Sequence, residues 1–339
     1  MTTHGTTTSP LTEESPRIER LLDLIAPKLA RVEEALEKKF VSDVKTVRDV
    51  GEHVLTGGGK RLRPSLLLLV SEMLEYRGED DVKLAAVVEL IHTATLVHDD
   101  IIDQAAVRRG RTSINYRWGN HLTVLIGDYL YTHSMDLALE VGNLDVLRLL
   151  SRATIRMTEG EILGLEQSGR FDISLDEYFD IVGRKTAELF GASCRIPGYL
   201  VDIPESTADA LFTFGFNLGV CFQLIDDLLD YTSSTEELGK PALSDLKEGK
   251  LTLPLLLALP KATAAEKRII ERVASEHSFG QTRPPEVVGI LERYDALERS
   301  RVIAGEYAER ARTSLMRFKP SPARDGLEFA IDFVMSRNR

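Results

Sequence analysis

Cysteine is nearly missing from this chain of 339 residues. The two present, Cys194 and Cys221, each lie in an apolar, helix-like stretch. That argues against a disulfide framework or a cysteine-rich metal site, and it fits the reducing cytoplasm. Excess positive charge is missing too. The formal net charge is -11, the wrong sign for a general nucleic-acid binder, although metal ions can reverse the local sign and let an acidic protein hold polyanions. No apolar run reaches the roughly 20 residues of a membrane span, so no integral membrane segment is expected. Period-2 alternation and Asn-Gly turns are absent, which leaves little room for β structure. Met1 to Pro16, rich in Thr, Ser and Pro, lacks the layout of a signal peptide and reads as a disordered tail.

What remains is helical. Hydrophobic residues make up 43% of the chain, enough for a substantial core. From Ile18 to Lys39, Leu21, Leu22, Ile25, Leu29 and Val32 form one stripe. Further helices are expected near 66–73, 81–102, 121–141, 145–166, 175–191 and 208–231, then near 251–259, 264–277, 285–294, 297–318 and 323–335. The stretches 84–97 and 211–229 are apolar nearly all round, as helices at the centre of a bundle are. Breaks are short: Gly57-Gly58-Gly59, Arg108-Arg109-Gly110, Pro197-Gly198, Pro204 and the polar stretch 233–249. The loop near Ser278–Pro285 is the best place for a late boundary. No linker is long enough to divide the chain, so residues 17–339 are read as one all-α domain.

One pattern occurs twice. Asp99-Asp100-Ile101-Ile102-Asp103 and Asp226-Asp227-Leu228-Leu229-Asp230 each close a long apolar helical run. On a helix, the first and last Asp of each set lie one turn apart on one face. Most acidic clusters are solvated helix ends. Here the placement is unfavourable, because helix C-termini prefer cations, clustered carboxylates repel one another, and Asp is a mediocre helix former. A doubly repeated conflict points to a ligand that relieves it. Magnesium, with hard oxygen ligands and a substrate phosphate completing its shell, is the natural choice.

Cations supply the other half. Gly57 to Pro64 reads GGGKRLRP, a glycine-rich turn that allows close backbone approach, followed by a cationic run suited to phosphate. It is not a P-loop, since the spacing differs and Arg61 follows Lys60 where Ser or Thr would stand. Arg108 and Arg109 lie shortly past Asp103, within reach of an anion held there. Either run alone would more often be solvated surface; beside two acidic triads, anion binding is the better account.

At this point the chain resembles the trans-isoprenyl diphosphate synthases, also called polyprenyl synthetases, from about residue 17 onward. The resemblance rests on GGGKRLRP at 57–64, HTATLVHDDIIDQAAVRRG at 92–110 and GDYLY at 127–131. It continues through GRKTAELF at 183–190, FQLIDDLLDY at 222–231, GK at 239–240 and DLKEGKLTLPLL at 245–256. It implies a helical bundle of the isoprenoid synthase type with a central active-site cavity, working as a homodimer. It also implies magnesium, three ions with substrate bound. Asp99, Asp103 and Asp226 would ligate the metal, with Asp100, Asp227 and Asp230 supporting directly or through water. Arg108, Lys185 and Lys240 would hold an allylic diphosphate. Lys60, Arg63, His92 and Arg109 would hold isopentenyl diphosphate. Thr186 and Gln223 would stabilise the reacting carbon skeleton, and Lys250 would help close a C-terminal flap. For His92 alone, a satisfied core histidine would be the better reading; only its place in the motif raises it.

The implied reaction lengthens an allylic diphosphate by one isoprene unit through a cation that water must not reach. The growing tail should run from Asp99 back along its helix. Ala94 lies about 7–8 Å away at 1.5 Å per residue, and short-chain members carry an aromatic residue there or next to it. Ala94 and Thr95 are small, and the HTATLVHDD wording is similar to bacterial synthases making hexaprenyl to decaprenyl diphosphates. A bulky neighbour such as Tyr129, Tyr131 or Met135 would instead stop growth at geranylgeranyl or farnesylgeranyl diphosphate. Two other readings stay open. A terpene cyclase shares the first acidic motif but lacks the isopentenyl-binding cations, and a non-catalytic partner subunit should have lost aspartates that are all present here.

Overall fold

Helix follows helix along the chain, with one small hairpin between them. The structure is a computed structural model describing residues 11–56, 61–108, 110–232 and 243–337. Thus Lys60, Arg109 and Lys240 lie outside the described residues, as does most of the expected tail from 1 to 16; the first helix, α1, spans Leu11–Lys39. There follow α2 (Lys45–Thr56), α3 (Leu62–Met73) and α4 (Asp80–Ile102). Strands β1 (Val107–Arg108) and β2 (Arg111–Thr112) then pair antiparallel, with Val107 opposite Thr112. Next come α5 (Ile114–Trp118), α6 (Asn120–Val141), α7 (Leu144–Gln167) and α8 (Leu175–Val182). A π-helical segment, Gly183–Ala187, joins α8 to α9 (Glu188–Leu200), and α10 (Glu205–Thr232) follows. The last third comprises α11 (Ser244–Lys247), α12 (Leu253–Ala258), α13 (Ala264–Glu276), α14 (Pro284–Arg293), α15 (Ala296–Leu315) and α16 (Pro322–Ser336).

Local chemistry sets many of these ends. The Asn143 side chain accepts from Asp145 N and Val146 N at the start of α7, satisfying amides a helix leaves unpaired. Ser174 with Glu177, and Thr263 with Glu266, form capping boxes for α8 and α13. Two expected boundaries move. The break at Pro197-Gly198 is absent: Pro197 sits inside the last turn of α9, costing one i→i−4 bond, and the helix ends three residues later at Leu200. The continuous helix expected over 175–191 is interrupted by the π segment.

The two helices apolar all round are central. In α4, Leu84, Ala85, Ala86, Val87 and Val88 are fully buried, and in α10 so are Phe214, Leu218, Leu224 and Leu228. Each buried Leu or Phe contributes about 1.5–3 kcal/mol, and one contiguous apolar core runs from Ile25 to Val334. By length and composition α10 is the one described helix that could cross a membrane, but 61% of its apolar window is buried inside the protein. Helix α4 packs chiefly on α6, and α10 on α9 and α15. Two glycines let the π segment sit between α7 and α10. A Cβ on Gly160 would lie 2.7 Å from Lys185 N, and one on Gly219 would lie 2.7 Å from Ala187 Cα.

Candidate active site

The first acidic motif terminates α4. Asp103 is the C-cap, its amide donating to Asp99 O at 2.8 Å, so the two carboxylates are one turn apart. Lys250 Nζ donates to Asp103 Oδ1 at 2.9 Å, and Lys185 Nζ stands 4.0 Å from Asp99 Oδ2. Burial raises Asp99 to about 6, against the pull of Lys185 and with help from Glu161 and Asp103. Asp100 is buried and ion-paired to Arg108 of β1, while its carbonyl accepts from Asn115 Nδ2 at 2.8 Å. Asp100 thus orients Arg108 and ties the hairpin to the end of α4.

The second motif stays within α10, and its three carboxylates do different things. Asp226 is the most open, with Arg337 Nη1 2.7 Å from its Oδ1. Asp227 is buried; it accepts from the Tyr178 hydroxyl, and from Gln223 Nε2 at 2.8 Å. Burial pushes Asp227 up to about 8, reinforced by the charges of Asp245 and Asp226. Asp230, expected to support the metal directly or through water, bonds to the chain that follows α10. It is fully buried and accepts from Ser244 N at 3.2 Å, Ser244 Oγ at 2.9 Å and Asp245 N at 3.1 Å. Those bonds satisfy the opening amides of α11, so this carboxylate anchors the chain returning after α10.

Between the motifs runs a polar chain. Thr186 Oγ1 in the π segment donates to Gln223 Oε1 at 2.8 Å, and Gln223 passes on to Asp227. Lys185, one residue before Thr186, is also ion-paired to Glu161 of α7. A π turn inserts one residue and so aims neighbouring side chains in directions an α-helix would not.

Arg63 of α3 is half-buried, and desolvation of its guanidinium lowers its pKa to about 10 despite Glu89 and Asp226 nearby. Its guanidinium lies 4.3 Å above the Phe190 ring, and its Nε has no hydrogen-bond partner. A guanidinium whose Nε is buried without a partner calls for an anion. Just ahead of it, Arg61 takes a left-handed conformation with φ of 44°. Arg61 turns away, binding Glu33 through two nitrogens at 2.6 and 3.0 Å and Glu89 at 2.7 Å. His92 lies half-buried on α4, its carbonyl accepting from Thr95 Oγ1 at 2.8 Å.

Several residues here carried no sequence signal. Glu161 belongs to the ordinary-looking acidic pattern of α7. Asp245 and Glu248 lie inside the motif at 245–256, but that motif did not say that Asp230 folds their segment back to the site. Tyr178, Glu89 and Arg337 are spelled out by no motif. Among the described residues, no three His, Cys, Asp or Glu side chains form a ready-made metal cage. Asp99, Asp103 and Asp226 each present carboxylate oxygens beside a protein cation. That set suits a hard divalent cation whose shell a diphosphate completes.

A helical protein that sets paired carboxylates beside cations is suited to hold a polyanion. A model of the family described as polyprenyl synthetase matches residues 44–288. The octaprenyl diphosphate synthase of Escherichia coli K12 is 36% identical over 322 residues, covering 95% of this chain and 99% of that protein. A polyprenyl synthase from Caulobacter crescentus, complexed with calcium and isoprenyl diphosphate, superposes with a TM-score of 0.91 at 35% identity, covering 95% of this chain and 98% of that one. A decaprenyl diphosphate synthase from Rhodobacter capsulatus gives 0.89 at 35% identity, covering 95% and 99%. The chain belongs to the polyprenyl synthetase family and is a prenyltransferase.

Proposed function

We propose that this chain is a magnesium-dependent trans-polyprenyl diphosphate synthase, joining isopentenyl diphosphate to an allylic diphosphate head to tail. Its product is a long chain, hexaprenyl to decaprenyl. The observation that carries this reading is the pair of acidic motifs, each beside protein cations, with half-buried Arg63 within electrostatic range of Asp226. Asp99, Asp103 and Asp226 would hold magnesium, three ions with substrate bound, which supplies positive charge to the departing diphosphate. Arg108 and Lys185, with Lys240, hold the allylic diphosphate and favour breaking its C1–O bond. Arg63 and His92, with Lys60 and Arg109, fix isopentenyl diphosphate so that its double bond faces C1. The Thr186 hydroxyl donates to Gln223, which leaves its oxygen lone pairs available to the cation. C–C bond formation is followed by loss of one proton to the departed diphosphate, giving a product one isoprene unit longer.

Long-chain synthesis is supported by what lines α4. Ala94 and Thr95 put nothing larger than a hydroxyl along the helix below Asp99, and Tyr129 is turned aside, its hydroxyl donating to Lys39 O at 2.9 Å. Two of the three relatives compared above are named for octaprenyl and decaprenyl products. A homodimer is supported by large apolar side chains exposed on two consecutive helices, Leu125 and Leu139 on α6 and Ile155, Ile162 and Leu165 on α7. Its place of work in this reading is the cytoplasm, as the buried reduced cysteines suit.

Incorporation of labelled isopentenyl diphosphate, with farnesyl diphosphate as primer, tests the reaction. Magnesium should be required, chelation should abolish turnover, and Asp226→Asn should lower kcat by about 100-fold or more. Turnover unaffected by chelation would overturn the metal assignment. Light scattering of Leu125→Glu should report monomers if α6 and α7 form the dimer face.

A further inference from the structure

The cations beside the acidic motifs are not equivalent. Lys185 stands beside Asp99 but is also paired to Glu161, and Lys250 holds Asp103 but also Glu248. If a metal took Asp99 or Asp103, each lysine would keep a carboxylate. Arg337 differs. Its ion pair is with Asp226, and among the described residues no second carboxylate lies within ion-pair distance of it. The guanidinium is placed 4.7 Å over the ring of Phe222, one turn before Asp226 on α10. The contact is ionic without being a directed hydrogen bond, since the buried Nη1 has no hydrogen-bond partner. Arg337 also lies outside residues 44–288, the span matched by the family.

We propose that Arg337 is a resident counter-cation of Asp226, displaced when a divalent metal binds there, so that metal loading releases the end of α16. The inference rests on reading Asp226 as a metal ligand. Two positive groups cannot share one carboxylate face without repulsion, and an arginine carries its charge at every accessible pH. Displacement needs little rearrangement. Arg337 is the residue just after α16, whose buried face, with Leu327, Ile331 and Val334, stays in the core. A freed guanidinium there still meets the C-terminal end of the helix dipole, which favours cations. Metal entry at the second motif thereby becomes coupled to the mobility of a segment remote in sequence, and by linkage the segment sets the metal affinity.

The test uses full-length protein and manganese(II), with free ion quantified by electron paramagnetic resonance, alone and with inorganic pyrophosphate. Arg337→Gln should bind manganese roughly fivefold more tightly or better, a typical coupling, and Arg337→Lys should stay near the parent. Arg312→Gln breaks an ion pair from α15 to Asp332 of α16, the helix that Arg337 follows, and should leave the affinity unchanged. Hydrogen exchange in the parent should speed up over residues 330–337 on adding manganese, and in Arg337→Gln it should be fast from the outset. Unchanged or weaker manganese binding by Arg337→Gln overturns the proposal, as does equal tightening by Arg312→Gln or exchange that ignores the metal. If Asp226→Asn leaves manganese binding intact, the ligand reading of Asp226 itself fails, which is a separable result.

Discussion

Lys250 Nζ sits 2.9 Å from Asp103 Oδ1 and 2.8 Å from Glu248 Oε2, although Lys250 and Asp103 are 147 residues apart. Burial works against the charge on Lys250, but Asp103 and Glu248 outweigh it and hold the pKa above the ordinary lysine value. The loop carrying Lys250 is itself fastened to the end of α7, where Gly169 N donates to Gly249 O at 3.0 Å and Ser168 Oγ to Glu248 O at 3.1 Å. The loop after α11 therefore closes over the first acidic motif. Replacing Lys250 by Ala should lower kcat by about 100-fold, the usual loss of one charged group at a reacting centre. Steady-state kinetics beside a melting curve checks this; unfolding instead of lost turnover would make Lys250 a structural clamp alone.

Tyr178 donates to a carboxylate that has almost no water. Tyr178→Phe leaves Asp227 with Gln223 and removes one of its buried hydrogen bonds. The expected loss is about 1–3 kcal/mol, read by urea denaturation. A change below about 0.5 kcal/mol, within the range of ordinary surface substitutions, would mean that water or Gln223 replaces the hydroxyl.

Burial raises Asp227 to about 8 and Asp99 to about 6, both above the ordinary carboxylate value of 3.8. The native state thus binds these protons more tightly than the unfolded chain. For this pair, stability is lowest above pH 8 and rises as pH falls through 8 and then 6, levelling off below the unfolded value. Metal-free protein should accordingly melt at higher temperature at pH 6 than at pH 8.5, and Asp227→Asn should remove most of that difference. Magnesium with pyrophosphate should flatten the profile, because the metal takes the place of the protons. A profile indifferent to both would contradict the burial argument.

Gly160 is where α7 meets the π segment. Gly160→Ala would place a methyl against Lys185 N and force the segment off α7, at about 1–3 kcal/mol for overpacking. Turnover should fall more than stability explains, since Lys185 and Thr186 move together. Circular dichroism with kinetics distinguishes this from general unfolding.

Much of this was legible in the sequence, and for identifiable reasons. Helices declared themselves by periodicity, and α4 and α10 declared their central position by being apolar all round. The acidic motifs stood out because carboxylates at helix C-termini conflict with local electrostatics, so their recurrence demanded a cause. Other features left no trace. A π turn adds one residue without changing composition, so Gly183–Ala187 read as plain helix. Asp230 looked equivalent to Asp226 until the chain beyond α10 returned to it, and a residue's partner across such a return is set by tertiary packing. Arg337 was one basic residue among many.

The most direct test of the central claim is the size of the product. Purified protein, magnesium, farnesyl diphosphate and labelled isopentenyl diphosphate are incubated, and the dephosphorylated products are sized by chromatography. The parent should give a ladder ending between hexaprenyl and decaprenyl, and Ala94→Phe should shorten it, because a ring would then stand below Asp99. A parent ladder ending at geranylgeranyl would keep the chemistry and contradict the open path past Ala94. No elongation by folded protein with magnesium present would contradict the account as a whole.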